Sequence, residues 1–279
     1  MSTAQDVYYV PAPSKWPVVG STALFLLAIG MVSLLHWGKT PGMVFLAAGF
    51  AVLTYMLFGW FGNVIHESVS GKYNTQVDAS FRWAMGWFIF SEVMFFAAFF
   101  GALFYARQMS VPILGDLDNQ LIWPGFKPGW PSEGPYLTDA FKPMEAWGLP
   151  AVNTLLLLTS GVTLTWAHHA LMENKRTQLL IGMAATIALG LTFLFFQATE
   201  YGEAAFTLST GVYGATFFLL TGFHGFHVTL GTLMLIVIMA RCGKGHFTPE
   251  HHFAFEAVAW YWHFVDVVWL GLFIFVYWM

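Results

Sequence analysis

Charge is what this sequence has least of. Asp, Glu, Lys and Arg make up 9% of the residues against 57% apolar types, where an ordinary soluble domain carries roughly 25% charged residues. A chain this poor in charge cannot cover a water-facing surface, so a bilayer is its expected solvent. Cysteine is nearly missing as well: Cys242 stands alone, which excludes an intrachain disulfide and any four-cysteine zinc or iron–sulfur site, and the C-x-x-C-H haem-attachment pattern does not occur. No Glu-x-x-His pair occurs either, which removes a ferritin-type di-iron centre. A net charge of −4 leaves no nucleic-acid footprint. Residues 1–15 carry Asp6 and a single lysine, and no small-residue cleavage site follows the first apolar run, so no removable signal peptide is expected.

What is present is length and apolarity. Crossing about 30 Å of hydrocarbon takes roughly 20 residues per helix, and such runs fall near 16–36, 42–65, 80–107, 148–171, 177–201, 209–241 and 254–278. The expected fold is all-α and polytopic: seven transmembrane helices in one domain over residues 1–279, without internal repeats, two sub-bundles with a cleft being the alternative. Gly38-Lys39-Thr40-Pro41 reads as a helix-ending glycine, a threonine N-cap and a proline at the first helical position, which predicts a tight antiparallel pair from the first two spans. If connections alternate sides, Lys15, Lys72, Arg82, Lys175, Arg176, Arg241 and Lys244 share one face and Lys39, Arg107, Lys127 and Lys142 the other. The richer face is cytoplasmic by the positive-inside rule, which puts the N-terminus inside and the C-terminus outside. The Pro-, Gly- and Trp-rich connection 108–147 then lies outside as a structured cap.

The last run, Ala254 to Met279, is long enough to span and yet contains Glu256, His263 and Asp266. Ionisable groups in hydrocarbon cost a few kcal/mol or more and need partners. At about 100° per residue the three sit at roughly 0°, −20° and −80°, on one side of the helix, so that side faces protein. Glu92, in the middle of the third span, is expected to be protonated, paired or facing a wet cavity, with a raised pKa; it serves either a proton or subunit-contact network or a hydrogen bond to another helix. Ala97 and Gly101 offer a small-residue strip on the same helix. Glu200 and Glu203, at the outer end of the fifth span, are cheaper to hydrate.

His224 and His227, at i and i+3, can point at one neighbour, the spacing metal ligation uses. Two readings stay open: a haem shared with His263, or hydrogen bonds between helices worth about 0.6–2 kcal/mol each, with Gly225 permitting close approach. His66, His168, His169, His246, His251 and His252 gather at the cytoplasmic face beside Glu67, Asp78, Glu173 and Glu250. That field of imidazoles and carboxylates is a candidate proton-collecting surface, or else a set of residues that tolerate the headgroup zone. Arg82, Arg241 and Lys244 can meet lipid phosphates or merely snorkel. The many Trp and Tyr are read as interface belts and packing.

The segments FIFSEVMFFAAFF (88–100), GVTLTWAHHALME (161–173), QATEYGEAAFTLSTGVYGATFFLLTGFHGFHV (197–228) and HHFAFEAVAWYWHFVDVVWL (251–270) resemble subunit III of cytochrome c oxidase in the haem–copper oxidase family. The likeness runs from about residue 80 to the end except across 108–147; residues 1–65 match mainly in hydropathy. The resemblance implies a two-helix plus five-helix arrangement with phospholipids in the cleft. It implies a subunit with no catalytic residue, metal or cofactor of its own, the haem and copper lying in partner subunits. It further implies packing against subunit I near its proton-uptake pathway, with subunit II and small accessory subunits as further partners. By the same resemblance Glu92 is the family's membrane glutamate, and Glu67, Arg82, Arg241, Lys244 and His246 are lipid-binding positions. Where the family has Arg-Glu and then Gly-His-His-Thr, this chain has His66-Glu67 and Gly71-Lys72-Tyr73-Asn74-Thr75, a departure that bears on lipid identity.

The resulting expectation is a non-redox accessory subunit of a proton-pumping cytochrome c oxidase, carrying electrons from cytochrome c to O2 through other chains. Reducing oxygen at a haem–copper pair takes about six histidines on facing helices, whereas most here sit at one membrane surface. The alternatives are the equivalent subunit of a quinol oxidase, a nitric oxide reductase accessory protein, and a proton-coupled transporter using Glu92, Glu256, His263 and Asp266 as a relay. Copper ligands in subunit II discriminate among the oxidases, and a water-filled route within this chain alone marks the transporter.

Overall fold

A computed structural model describes residues 8–136 and 142–279. Seven helices are long and apolar enough to cross a membrane: α1 Trp16–His36, α2 Lys39–Val69, α3 Thr75–Leu114, α4 Leu149–Met172, α5 Arg176–Glu203, α6 Gly211–Gly243 and α7 Phe253–Trp278. Among the described residues there is no strand. The ends differ from the hydropathy reading where polar residues stay helical. α3 begins early because Asn74 Oδ1 accepts from the Val77 amide at 3.0 Å, an N-cap. It also runs past Arg107 through a π-helical turn at Ala106–Ser110 to Leu114. Thr40 is not a cap: α2 starts at Lys39 behind Gly38, whose φ of 108° ends α1 while its amide bonds the Ser33 carbonyl at 3.0 Å. A left-handed residue in that place favours glycine.

The chain divides into two compact units, Met1–Phe81 and Arg82–Met279. In the first, α1 and α2 pack through glycine. A Cβ on Gly42, Gly30 or Gly49 would lie 2.5, 2.8 or 2.8 Å from the side chain of Leu34, Leu46 or Leu27 respectively, and Gly59 lies under the Trp16 ring. Each pairing that moves down α1 moves up α2, so the two run antiparallel, and bare backbone lets them come close enough for dispersion to hold them. Lys15 Nζ reaches the Tyr55 hydroxyl at 3.2 Å.

In the second unit α7 is central. Trp262 is fully buried; its ring fills notches left by Gly190 of α5 and Gly231 of α6, and its indole N–H donates to Ser160 Oγ of α4 at 2.8 Å. Trp269, two turns on, repeats the pattern by donating to Thr154 Oγ1 at 2.9 Å and standing edge-on to Phe193 with centroids 4.8 Å apart. Gly182 brings α5 close to Ala167 of α4, where Thr163 and Thr186 share a 2.8 Å hydroxyl contact. From Arg82 onward α3 joins through long side chains: Phe95 and Phe96 reach Phe223, His227 and Phe264. Gly101 and Gly225 meet nothing that a Cβ would touch among the described residues, so the close approaches expected at these two glycines do not form among them. Two described parts of the connection after α3 dock on helix ends: the Ser132 carbonyl accepts from the Tyr213 amide at 3.2 Å, and Trp147 packs on Phe273 and Trp278.

Candidate functional site

Polar groups buried among apolar helices must find partners, because water is not there to serve them. In the second unit such groups gather in three separate places. In the middle of the unit, Glu92 of α3 meets His227 of α6, Oε2 to Nε2, at 2.9 Å. His227 Nδ1 lies 2.6 Å from the Phe223 carbonyl. A carbonyl only accepts, so Nδ1 carries a hydrogen and the contact between Glu92 and Nε2 holds one proton, on one side or the other. His224, three residues earlier, is buried and instead joins the Val265 carbonyl of α7 at 3.0 Å. The i, i+3 histidines therefore face different helices, and each closes a different inter-helix contact.

The second place is the end of the unit where α3 and α7 begin and α4 stops. Glu256 pairs with Arg82 through Oε2 and with His252 through Oε1, the latter at 3.0 Å. Arg82 also lies over the Phe253 ring at 5.3 Å. His168 closes the group, its ring centroid 5.2 Å from that of His252. His169 and His251 are exposed.

The third place is an open groove of about 540 Å³ between α4 and α7, lined in part by Gly161, Thr165, His169, His263 and Asp266. Gly161 makes room there: a Cβ would sit 3.2 Å from Asp266 Oδ2 and 3.5 Å from His263 Nδ1. Asp266 Oδ1 is buried without a hydrogen-bond partner. Glu92 and Glu256 thus have separate partners, on α6 for the first and at Arg82 and His252 for the second, while Asp266 keeps a buried carboxyl oxygen with none.

The proposed lipid residues split. Arg241, Lys244 and His246 follow one another at the end of α6, with the Arg241 guanidinium 4.4 Å from the Phe247 ring centre. Partial burial and the positive charges of Arg241 and Lys244 hold His246 below the ordinary imidazole range. Beside them the Arg176 guanidinium donates to the Gly243 carbonyl. Arg82, by contrast, is engaged by Glu256. In the first unit the Tyr73 hydroxyl donates to Glu67 Oε2 at 2.9 Å, and His66 is exposed.

Sequence reading left two features unplaced. Glu200 is fully buried, not hydrated, and lies close to Gln197 and Tyr277, both also buried; only Glu203 is exposed. Of the tryptophans read as interface belts and packing, Trp262 and Trp269 are packing residues, buried in the core. Their i, i+7 spacing on a helix that also carries acids was the available signal.

A sequence profile described as "Cytochrome c oxidase subunit III" matches residues 6–279. Curated proteins named "Cytochrome c oxidase subunit 3" are similar along their whole length. The one from Marchantia polymorpha is 43% identical over 280 residues, covering 100% of this chain and 98% of its own. That from Latimeria chalumnae is 41% identical, covering 100% and 99%, and that from Equus caballus is 42% identical with the same coverage.

Proposed function

This chain belongs to the cytochrome c oxidase subunit III family, and from that premise we propose that it supports proton uptake by the redox-active subunit I and steadies that subunit in the membrane. It is an accessory subunit of cytochrome c oxidase, an oxidoreductase complex, with seven membrane-spanning helices. The observation that carries the proposal is the use made of its intramembrane histidines. His224 and His227 are bound to Val265 and Glu92 on different helices, which supports a role in contacts and proton sharing over joint ligation of a haem.

Three further parts belong to the same proposal. The His263–Asp266 groove is the face we assign to subunit I, since an acid left facing lipid is costly and a hydrogen-bond donor on a neighbouring subunit would relieve it. Arg241, Lys244 and His246 hold a phospholipid phosphate, whose negative charge would offset the crowding of positive groups that depresses His246. Placing the N-terminus in the cytoplasm of the inner membrane rests on the lysine and arginine distribution; the two-plus-five helix grouping with its lipid cleft, and haem and copper in partner subunits, rest on the resemblance.

The test is depletion of this subunit from the intact oxidase. Oxygen reduction should persist while proton uptake slows as external pH rises. Immediate loss of all turnover would assign the chain a direct catalytic part, and haem absorbance or stoichiometric copper in the isolated chain would overturn the accessory reading.

A further inference from the structure

His252 is the residue before α7 and Glu256 lies one turn on, so their side chains stack on the same face. His252 Nδ1 is 3.1 Å from the Thr248 carbonyl, and since a carbonyl accepts only, that nitrogen carries the hydrogen. A neutral imidazole then has its lone pair on Nε2, which points at Glu256 Oε1 from 3.0 Å. The other oxygen of Glu256 is held by the Arg82 guanidinium, the setting of an ionised carboxylate. Lone pair would face lone pair across that gap unless something positive lies between.

A third ligand is aimed at the same place. His168 Nε2 is buried and has no hydrogen-bond partner, and one ligand atom from each of His168, His252 and Glu256 lies within 4.8 Å of the other two. We propose that these three residues hold a divalent cation of the zinc class, with the fourth position open to water. Two imidazole nitrogens and a carboxylate oxygen form the donor set of open zinc sites, and imidazole disfavours the hard ions calcium and magnesium. The outer partners are those that ligands of such an ion have: a backbone carbonyl on the far nitrogen of His252 and a guanidinium on the far oxygen of Glu256. The ion carries no electrons in this role. It ties the end of α4 to the start of α7, two elements that the chain otherwise joins here through ring contacts of His168 with His252 and Phe255.

The experiment uses the intact oxidase complex, stripped with a chelator and re-equilibrated with limiting zinc. Wild-type complex should retain one more zinc per haem pair than complexes carrying His168→Gln or His252→Gln, with subunit composition and haem content unchanged. X-ray absorption at the zinc edge of the wild-type complex should lose a contribution from two imidazoles and one oxygen at about 2.0 Å when His168 is replaced. Equal zinc in wild-type and variant complexes overturns the site and leaves a proton in the gap, as an imidazolium–carboxylate pair. If the variants do not assemble, the wild-type spectrum decides alone: no shell of mixed imidazole and carboxylate ligands overturns the proposal.

Discussion

The α1–α2 pair and the α4–α7 bundle solve one problem in two ways. Lipid tails are as apolar as leucine, so burying apolar surface does little to join helices, and packing and hydrogen bonds must do the joining. The first pair uses packing: Gly30, Gly42 and Gly49 admit Leu46, Leu34 and Leu27 against bare backbone. The bundle adds hydrogen bonds from the rings that fill it, Trp262 to Ser160, Trp269 to Thr154 and His224 to Val265. The difference bears on the proposed role, because the first pair meets mainly through leucine and bare backbone, whereas the bundle is crossed by hydrogen-bonded rings and by the Glu92–His227 contact.

The comparison can be broken most strongly at Trp262. Trp262→Ala empties the notches of Gly190 and Gly231 and removes the indole donor to Ser160 Oγ, and should cost about 3–5 kcal/mol, read as a lowered midpoint when the purified complex is unfolded with denaturing detergent. Gly42→Ala should cost about 1–3 kcal/mol by overpacking, since its Cβ would meet Leu34 main chain at 2.7 Å, while Gly101→Ala, with nothing near, should leave the midpoint alone. Equal effects at the two glycines would remove the claim that α1 and α2 depend on close approach.

A double-mutant cycle over Glu92→Gln and His227→Asn sharpens the bundle side, with a coupling of about 0.6–2 kcal/mol expected; a value near zero would mean the contact does not hold α3 to α6. Arg241→Ala should lower co-purifying phospholipid, and His246 should titrate higher with lipid bound than after delipidation, as followed by its imidazole NMR signals. Unchanged lipid content would reduce the cluster to snorkelling cations. Smallest of all is Glu145, which the Lys142 ammonium, 2.6 Å away, holds below the usual carboxylate range. A depressed carboxylate stabilises above its unfolded pKa and loses that contribution as pH falls through the folded one. This pair is fully exposed and screened, so Glu145→Gln should leave the unfolding midpoint unchanged at neutral pH.

Much of the site was legible as composition and little as partnership. Glu92 and Glu256 stood out because charge in a long apolar run is expensive, and each has a partner in the fold. Nothing in the spacing said that Glu92 would meet His227 or Glu256 would meet Arg82, residues far apart in the chain that only packing brings together. Glu200 read as the cheaper to hydrate from its place near a helix end, yet neighbours such as Tyr277 bury it.

Sequence alone determined how many helices cross, roughly where each begins and ends, and the family, because span length follows from the thickness of hydrocarbon and long motifs are specific. Apart from the last helix, whose acids marked an inward side, tertiary structure alone decided which face of each helix turns inward, why Gly42 packs while Gly101 stands free, and which tryptophans become core. The reason is the solvent: a soluble helix marks its inner face by apolar stripes against a polar back, but in lipid every face is apolar, and that cue is erased.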